Sequence, residues 1–243
     1  MRSTSVVRDV QGDVRERFYE RFADDFDQRM NRYEVAKRLR LIFDEALADI
    51  PLAGRMLLDA GCGTGAFSQV AAEQGALVTS LDVGEALLAQ VARKCDSRRV
   101  VGDVLDLPFE QDRFDVVICT EVIEHTPVPE RAIGELARVL RPGGRLVLTT
   151  PNRSWHWSVR LANALRARPY RGLENWVRPD AIMATMRLRN LEPVDQRGFN
   201  AFPWVHPVTY PVIDRLDSLG RTRLGRTKMI NFMVVAAKPP VNP

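Results

Sequence analysis

The chain alternates short apolar runs with longer amphipathic segments. Residues 56–60, 76–82, 99–102, 114–120 and 145–150 are the runs, and each closes near a glycine, an aspartate or a threonine. The run Phe114-Asp115-Val116-Val117-Ile118-Cys119-Thr120 carries apolar residues on both faces, the pattern of a central parallel strand covered on its two sides. Between the runs, residues 66–74, 84–94 and 129–140 place apolar side chains at helical spacing. Strands and helices in alternation predict an open α/β sheet with helices on both faces. Further on, residues 191–199 read as a sixth strand, 212–219 as a helix and 229–237 as a last strand. Ahead of the sheet, residues 14–50 read as two charged helices meeting near Asn31, with Phe18, Phe22 and Phe26 spaced to pack on the core.

The first strand runs straight into Asp59-Ala60-Gly61-Cys62-Gly63-Thr64-Gly65. Glycine at alternate positions admits left-handed backbone and lets the main chain approach a ligand closely. A carboxylate follows at Asp82, where the second strand ends. In an open α/β sheet that end faces the ligand crevice, where a carboxylate can accept from two ribose hydroxyls. A dinucleotide needs the spacing G-x-G-x-x-G to place a helix N-terminus on a pyrophosphate. Here the glycines are spaced G-x-G-x-G with Asp59 ahead of them, which suits a cationic ligand without phosphates.

At this point residues 55–152 resemble the class I S-adenosylmethionine-dependent methyltransferases, through Leu57-Leu58-Asp59-Ala60-Gly61-Cys62-Gly63-Thr64-Gly65 and through Leu140-Arg141-Pro142-Gly143-Gly144-Arg145-Leu146. The resemblance implies a seven-stranded, doubly wound, Rossmann-like α/β sheet whose last strand inserts antiparallel between the fifth and sixth. It implies an N-terminal helical lid over residues 1–50, a donor-binding core over 51–152, and acceptor-binding insertions with the last strands over 153–243, including a helical cap after the fifth strand. By the same resemblance Asp59, Gly61, Cys62, Gly63 and Gly65 cradle S-adenosyl-L-methionine, Asp82 and Val83 meet its ribose, and Thr120 stands near the methyl group. Asp103 would accept the adenine amine while Val104 and Leu105 cover the ring. Tyr19 and Arg32 either meet the methionine carboxylate or serve only in packing and at the surface.

The end of the fourth strand, Thr120-Glu121-Val122-Ile123-Glu124-His125-Thr126, is where the donor methyl should emerge. Many enzymes that methylate nucleic-acid bases carry Asn/Asp-Pro-Pro-aromatic here, and its absence argues against a nucleic-acid substrate. Glu121, Glu124 and His125 sit at i, i+3 and i+4, so on one helical turn they can converge on a divalent cation. The ubiquinone-pathway O-methyltransferases have a similar Glu-x-x-Glu-His sequence, with a Mg2+ role known in that family. The alternative is metal-free, with His125 as general base for an acceptor hydroxyl.

Composition narrows the rest. With 243 residues, 45% of them hydrophobic, the chain can bury one substantial core. Three cysteines, Cys62, Cys95 and Cys119, fall in unrelated elements, imply no disulfide framework and suit a cytoplasmic setting. No apolar run is long enough to span a bilayer. The net charge of +4 is unevenly spread: residues 153–171 hold five arginines and no acid, and Arg221, Arg223, Arg226 and Lys228 form a second basic cluster. The first cluster lies on a helix with tryptophans at one end, which either caps the domain or touches a membrane or lipid. The layout of residues 173–188 also resembles the ubiquinone-pathway enzymes, and Trp204, His206 and Tyr210 either line an acceptor pocket or pack a lid. The expectation is methyl transfer to a hydroxyl of a small apolar or aromatic acceptor. Its alternatives are C- or N-methylation of a small molecule and a non-catalytic role for a donor-binding fold, with the oligomeric state left open.

Overall fold

The structure, a computed structural model, describes residues 31–158, 160, 174–202 and 206–240. The phenylalanines at 18, 22 and 26, Tyr19, Trp204 and residues 161–171 of the arginine-rich segment lie outside the described residues.

Asn31 caps the first described helix, its side chain accepting from the Tyr33 N–H at 3.0 Å. This helix, α1, is Arg32–Leu39, and it continues into a π-helical turn, Arg40–Ala46. The wider π turn brings three consecutive side chains, Leu41, Ile42 and Phe43, into the core, which an α-helical turn would split between faces.

The sheet follows in the expected alternation. Strand β1 is Met56–Ala60, α2 Ala66–Glu73, β2 Leu77–Asp82, α3 Glu85–Lys94, β3 Arg98–Val101 and β4 Phe114–Thr120. Helix α4 is Pro129–Val139, β5 Leu140–Pro151, α5 Pro179–Leu188 and β6 Glu192–Phe199. Helix α6 is Tyr210–Asp217, α7 Arg223–Lys228 and β7 Asn231–Ala237. Spatial order is β3-β2-β1-β4-β5-β7-β6, the first five strands parallel and β7 antiparallel to both neighbours. The inserted last strand is thus as the sequence implied.

All seven residues of β4 are buried, because apolar clusters cover both of its faces. Val117 and Cys119 pack with Ile133 and Leu136 of α4 and Met186 of α5, while Val116 and Ile118 pack with Leu41, Ile42 and Phe67. This is why the run lacks polar alternation.

One boundary differs from the pattern in the sequence. The strand expected over residues 145–150 already begins at Leu140, opposite Phe114, and the register shifts before Arg145 pairs with Val116. Gly143, at φ +75°, makes the irregularity possible, and its N–H donates to the Lys238 carbonyl at 2.8 Å. Of the second basic cluster, Arg223, Arg226 and Lys228 ride on α7.

Helix α7 and the turn before it press against β6 through glycines. A Cβ on Gly225 would stand 2.2 Å from the Leu219 carbonyl oxygen, and one on Gly220 2.1 Å from that of Gly198. Backbone faces backbone here, so no side chain can move aside. Gly225→Ala is expected to cost about 1–3 kcal/mol, read as a lowered urea midpoint with unchanged m-value.

Candidate functional site

The carboxyl ends of β1, β2 and β4 open into a cavity of about 670 Å³. Its floor is the glycine turn, with Gly61, Gly63 and Gly65 at φ +78°, +53° and +83°. A Cβ on Gly61 would lie 2.4 Å from Val122 Cγ2, and one on Gly65 2.9 Å from Val91 Cγ2, so the turn needs glycine for space as well as for backbone angle. Asp82 holds the turn in place: its carboxylate accepts from the Gly63 N–H at 2.8 Å and from the Gly84 N–H at 3.0 Å.

Gly61, Cys62, Gly63, Asp82, Val83, Asp103, Val104, Thr120 and Arg32 all line this cavity, and so does His125. Asp103 also receives the Leu105 N–H at 2.9 Å, which fixes its loop. Three expected donor contacts sit off the wall. Gly65 serves the turn itself, with Val91 filling the space beside it. Leu105 is off the wall, packed on the main core. Asp59 is fully buried beneath the turn, not on the wall, with one oxygen accepting from the Ser68 hydroxyl at 2.7 Å. The other, Oδ1, has no partner among the described residues. Burial, the largest cause, lifts the Asp59 carboxyl to about 7, against the pull of Ser68. Ser68, Ser80 and Ser97 continue from it as a chain of hydroxyls at 2.7 and 2.9 Å.

At the rim, Glu121 stands at φ +56°, a conformation rare for a residue with a side chain and characteristic of functional loops. Its Oε1 accepts from Thr149 Oγ1 at 2.9 Å and its Oε2 from Asn231 Nδ2 at 3.2 Å. Glu124 points the other way, fully buried, accepting from Thr150 Oγ1 at 3.0 Å. Burial, reinforced by Glu121, pushes its carboxyl well above the usual range. His125 ends a single 3-10 turn, Ile123–His125.

This arrangement corrects the metal reading of Glu121, Glu124 and His125. Glu121 precedes the turn in left-handed backbone, so its side chain does not share a helical face with Glu124. Among the described residues no three His, Cys, Asp or Glu side chains are grouped so as to hold a metal ion. A Mg2+ ion therefore does not fit the residues as placed.

One residue that the sequence did not single out is central. Arg38 lines the cavity while its side chain is only 6% exposed, it lies 4.0 Å from Glu121 Oε1, and its Nε–H has no acceptor among the described residues. Nothing in the sequence separates Arg38 from its neighbours Arg32 and Arg40. Only the helix geometry turns this guanidinium inward. A donor-competent, buried cation at the wall has the chemistry to bind a carboxylate.

Residues 58–148 match a methyltransferase domain family. Over 215 residues the chain is 33% identical to the ubiquinone biosynthesis O-methyltransferase of Hahella chejuensis, covering 83% of each chain. Over 211 residues it is 33% identical to that of Xanthomonas oryzae pv. oryzae, covering 81% of each. The fold is similar to magnesium protoporphyrin IX methyltransferase from Synechocystis PCC 6803 with bound S-adenosylhomocysteine, at TM-score 0.68 and 18% identity over 94% of this chain and 99% of that one. It is also similar to a geranyl diphosphate methyltransferase, at TM-score 0.61 and 19% identity over 84% of this chain and 78% of that one.

The raised carboxyl of Asp59 has a signed consequence for stability. Unfolded, the group ionises near 3.8; folded, it holds its proton to about 7. Between those values the native state binds more protons, so Asp59 favours folding fully below the lower one and loses that contribution as pH rises through the upper. Urea titrations from pH 4 to 8 should show stability falling with pH, and Asp59→Asn should flatten that slope.

Proposed function

Given that this chain belongs to the family of the ubiquinone biosynthesis O-methyltransferases and is an S-adenosylmethionine-dependent O-methyltransferase, we propose that its acceptor is an aromatic hydroxyl on a molecule with an apolar tail. The observation that carries the reading is one cavity lined by two chemically different sets of residues. The first is the glycine turn, Asp82, Asp103 and Arg38, the second is His125 and Glu121, and the two meet where Arg38 lies 4.0 Å from Glu121 Oε1.

The first set suits the donor. The Asp82 carboxylate, at the cavity wall, meets the ribose hydroxyls, and Asp103 with Val104 offers an adenine seat. Arg38, whose Nε–H has no acceptor among the described residues, receives the methionine carboxylate, a role for which Arg32 and Tyr19 are the candidates by sequence. The donor supplies a methyl group already activated on a sulfonium. What remains for the chain is to align an acceptor oxygen with that methyl, to exclude water, and to take up the hydroxyl proton. His125 accepts that proton at the rim. Glu121 completes the acceptor side as a hydrogen-bond acceptor held by Thr149 and Asn231. No step passes through a metal ion.

An apolar tail is supported by the relatives' part in ubiquinone biosynthesis and by a surface built from the tryptophans at 155 and 157. Trp155 and Trp157 stack at 5.7 Å, with Trp157 half exposed, and Trp155 Nε1 donates to the Lys228 carbonyl at 2.6 Å. This contact joins the basic α7 to the start of the arginine-rich segment, a surface suited to peripheral contact with an anionic membrane from which such an acceptor would come. None of the described helices is long and apolar enough to cross a membrane.

The test is incubation with labelled donor and a prenylated catechol, read by mass spectrometry as one added methyl on oxygen. A methylated ring carbon or no transfer to any hydroxyl would overturn the acceptor reading. His125→Ala is expected to lower kcat by about 10²-fold or more with donor affinity retained. Arg38→Met should weaken S-adenosylhomocysteine binding in calorimetry by about 10- to 100-fold, matching ~1.5–3 kcal/mol for a hydrogen bond to a charged group.

A further inference from the structure

Glu121 and Arg38 present a conflict of charges. They are opposite in sign, both at the cavity, and separated by 4.0 Å, whereas a charge-assisted contact closes to about 2.8 Å. Left to themselves in a partly dry pocket they would collapse onto each other, and the guanidinium would no longer be available to a ligand. What prevents this is visible on the other side of Glu121, where both carboxylate oxygens are engaged, Oε1 by Thr149 Oγ1 at 2.9 Å and Oε2 by Asn231 Nδ2 at 3.2 Å.

Asn231 is itself fixed. It begins β7, opposite Pro151 and Phe199, and is 6% exposed. Its Oδ1 accepts from Asn200 Nδ2 at 3.2 Å, and Asn200 Oδ1 accepts from Lys37 Nζ at 3.2 Å. Lys37 pairs in turn with Asp217 at 2.6 Å, and Asp217 accepts from the Asn200 N–H at 2.8 Å. Asn200, like Glu121, is a non-glycine residue in left-handed backbone, at φ +57°. A buried polar chain thus leaves α1 at Lys37, crosses Asn200 and Asn231, and ends on Glu121 beside Arg38, the next residue of the same helix.

We propose that Asn231, assisted by Thr149, is a positioning residue that holds the Glu121 carboxylate off Arg38 and so keeps the guanidinium open to the carboxylate of the methyl donor. This rests on the assignment of Arg38 to the donor made above. The chain gives α1 two grips on one network: Lys37 anchors the far end, and Arg38 awaits the ligand at the near end. Seating of the helix and readiness of the donor site are therefore one event. A purely structural Asn231 would matter for stability, but its loss could not be repaired by neutralising Glu121.

Calorimetric titration with S-adenosylhomocysteine distinguishes the two, using the full chain and four variants. Asn231→Leu frees one oxygen of Glu121, and binding should weaken by about tenfold as the carboxylate closes on Arg38. Glu121→Gln removes the competing charge and should bind at least as tightly as the unaltered chain. The double variant, Asn231→Leu with Glu121→Gln, should bind within about twofold of Glu121→Gln alone, since the two sites act through one interaction. Thr149→Val, nearly equal in volume, should weaken binding in the same direction and decides the matter if Asn231→Leu does not fold. The proposal is overturned if Thr149→Val and any folded Asn231→Leu bind within about twofold of the unaltered chain, or if the double variant stays as weak as Asn231→Leu. Failure of the unaltered chain to bind S-adenosylhomocysteine would instead bring down the donor assignment itself, and this inference with it.

Discussion

Two main-chain N–H groups, from Gly63 and Gly84, converge on the carboxylate of Asp82. These bonds tie the turn after β1 to the turn after β2, across two adjacent parallel strands. With them in place the glycine turn is held to the end of β2, the cavity keeps its floor, and the Asp82 carboxylate is fixed at the wall. The constraint needs glycine at 61 and 65 because Val122 and Val91 fill the space a Cβ would take. Val122 is also the residue between Glu121 and the 3-10 turn that carries His125. The donor floor and the reaction rim are thereby packed on each other, so a change in one is felt in the other.

A second layer of charge is arranged around that floor. Asp59, Glu124 and Glu34 are all raised carboxyls, and burial is the main cause in each. Buried acids without full compensation weaken a fold. Asp59 lies beneath the glycine turn and Glu124 on the 3-10 turn that carries His125, so two of the three stand directly behind residues of the cavity wall. Arg38 is the matching cation. Its Nε has no acceptor among the described residues, and Glu121 Oε1 stands 4.0 Å away.

The helix before the sheet links this electrostatics to the tail of the chain. Lys37 and Arg38 are neighbours in sequence, yet Lys37 reaches Asp217 and Asn200 while Arg38 faces the cavity. Tyr33 stacks on Tyr210 at 3.7 Å and donates to Asp214 at 2.6 Å, adding to the same seam. The last strands therefore do more than widen the sheet. Asn231 at the start of β7 bonds Glu121, and between β6 and β7 the chain supplies Asn200 and α6, which seat α1.

How much of this was legible beforehand depended on the range of the interaction. The strands from β1 to β5, the glycine turn, Asp82 and Asp103 could be read from the sequence, because buried parallel strands and tight turns leave local signatures in a few consecutive residues. The antiparallel insertion of β7 was legible only through the family resemblance. Arg38, Thr149 and Asn231 were not legible at all: each becomes functional through partners more than twenty residues away, and no local pattern distinguishes Arg38 from Arg32 or Arg40. The expected metal triad failed for a related reason. Regular i, i+3, i+4 spacing assumes a helix, whereas the chain turns through left-handed backbone at Glu121 and buries Glu124 against Thr150. Sequence alone determined which fold forms and where its ligand crevice lies; the tertiary structure decided which charges face that crevice, because side-chain direction is set by packing among distant elements.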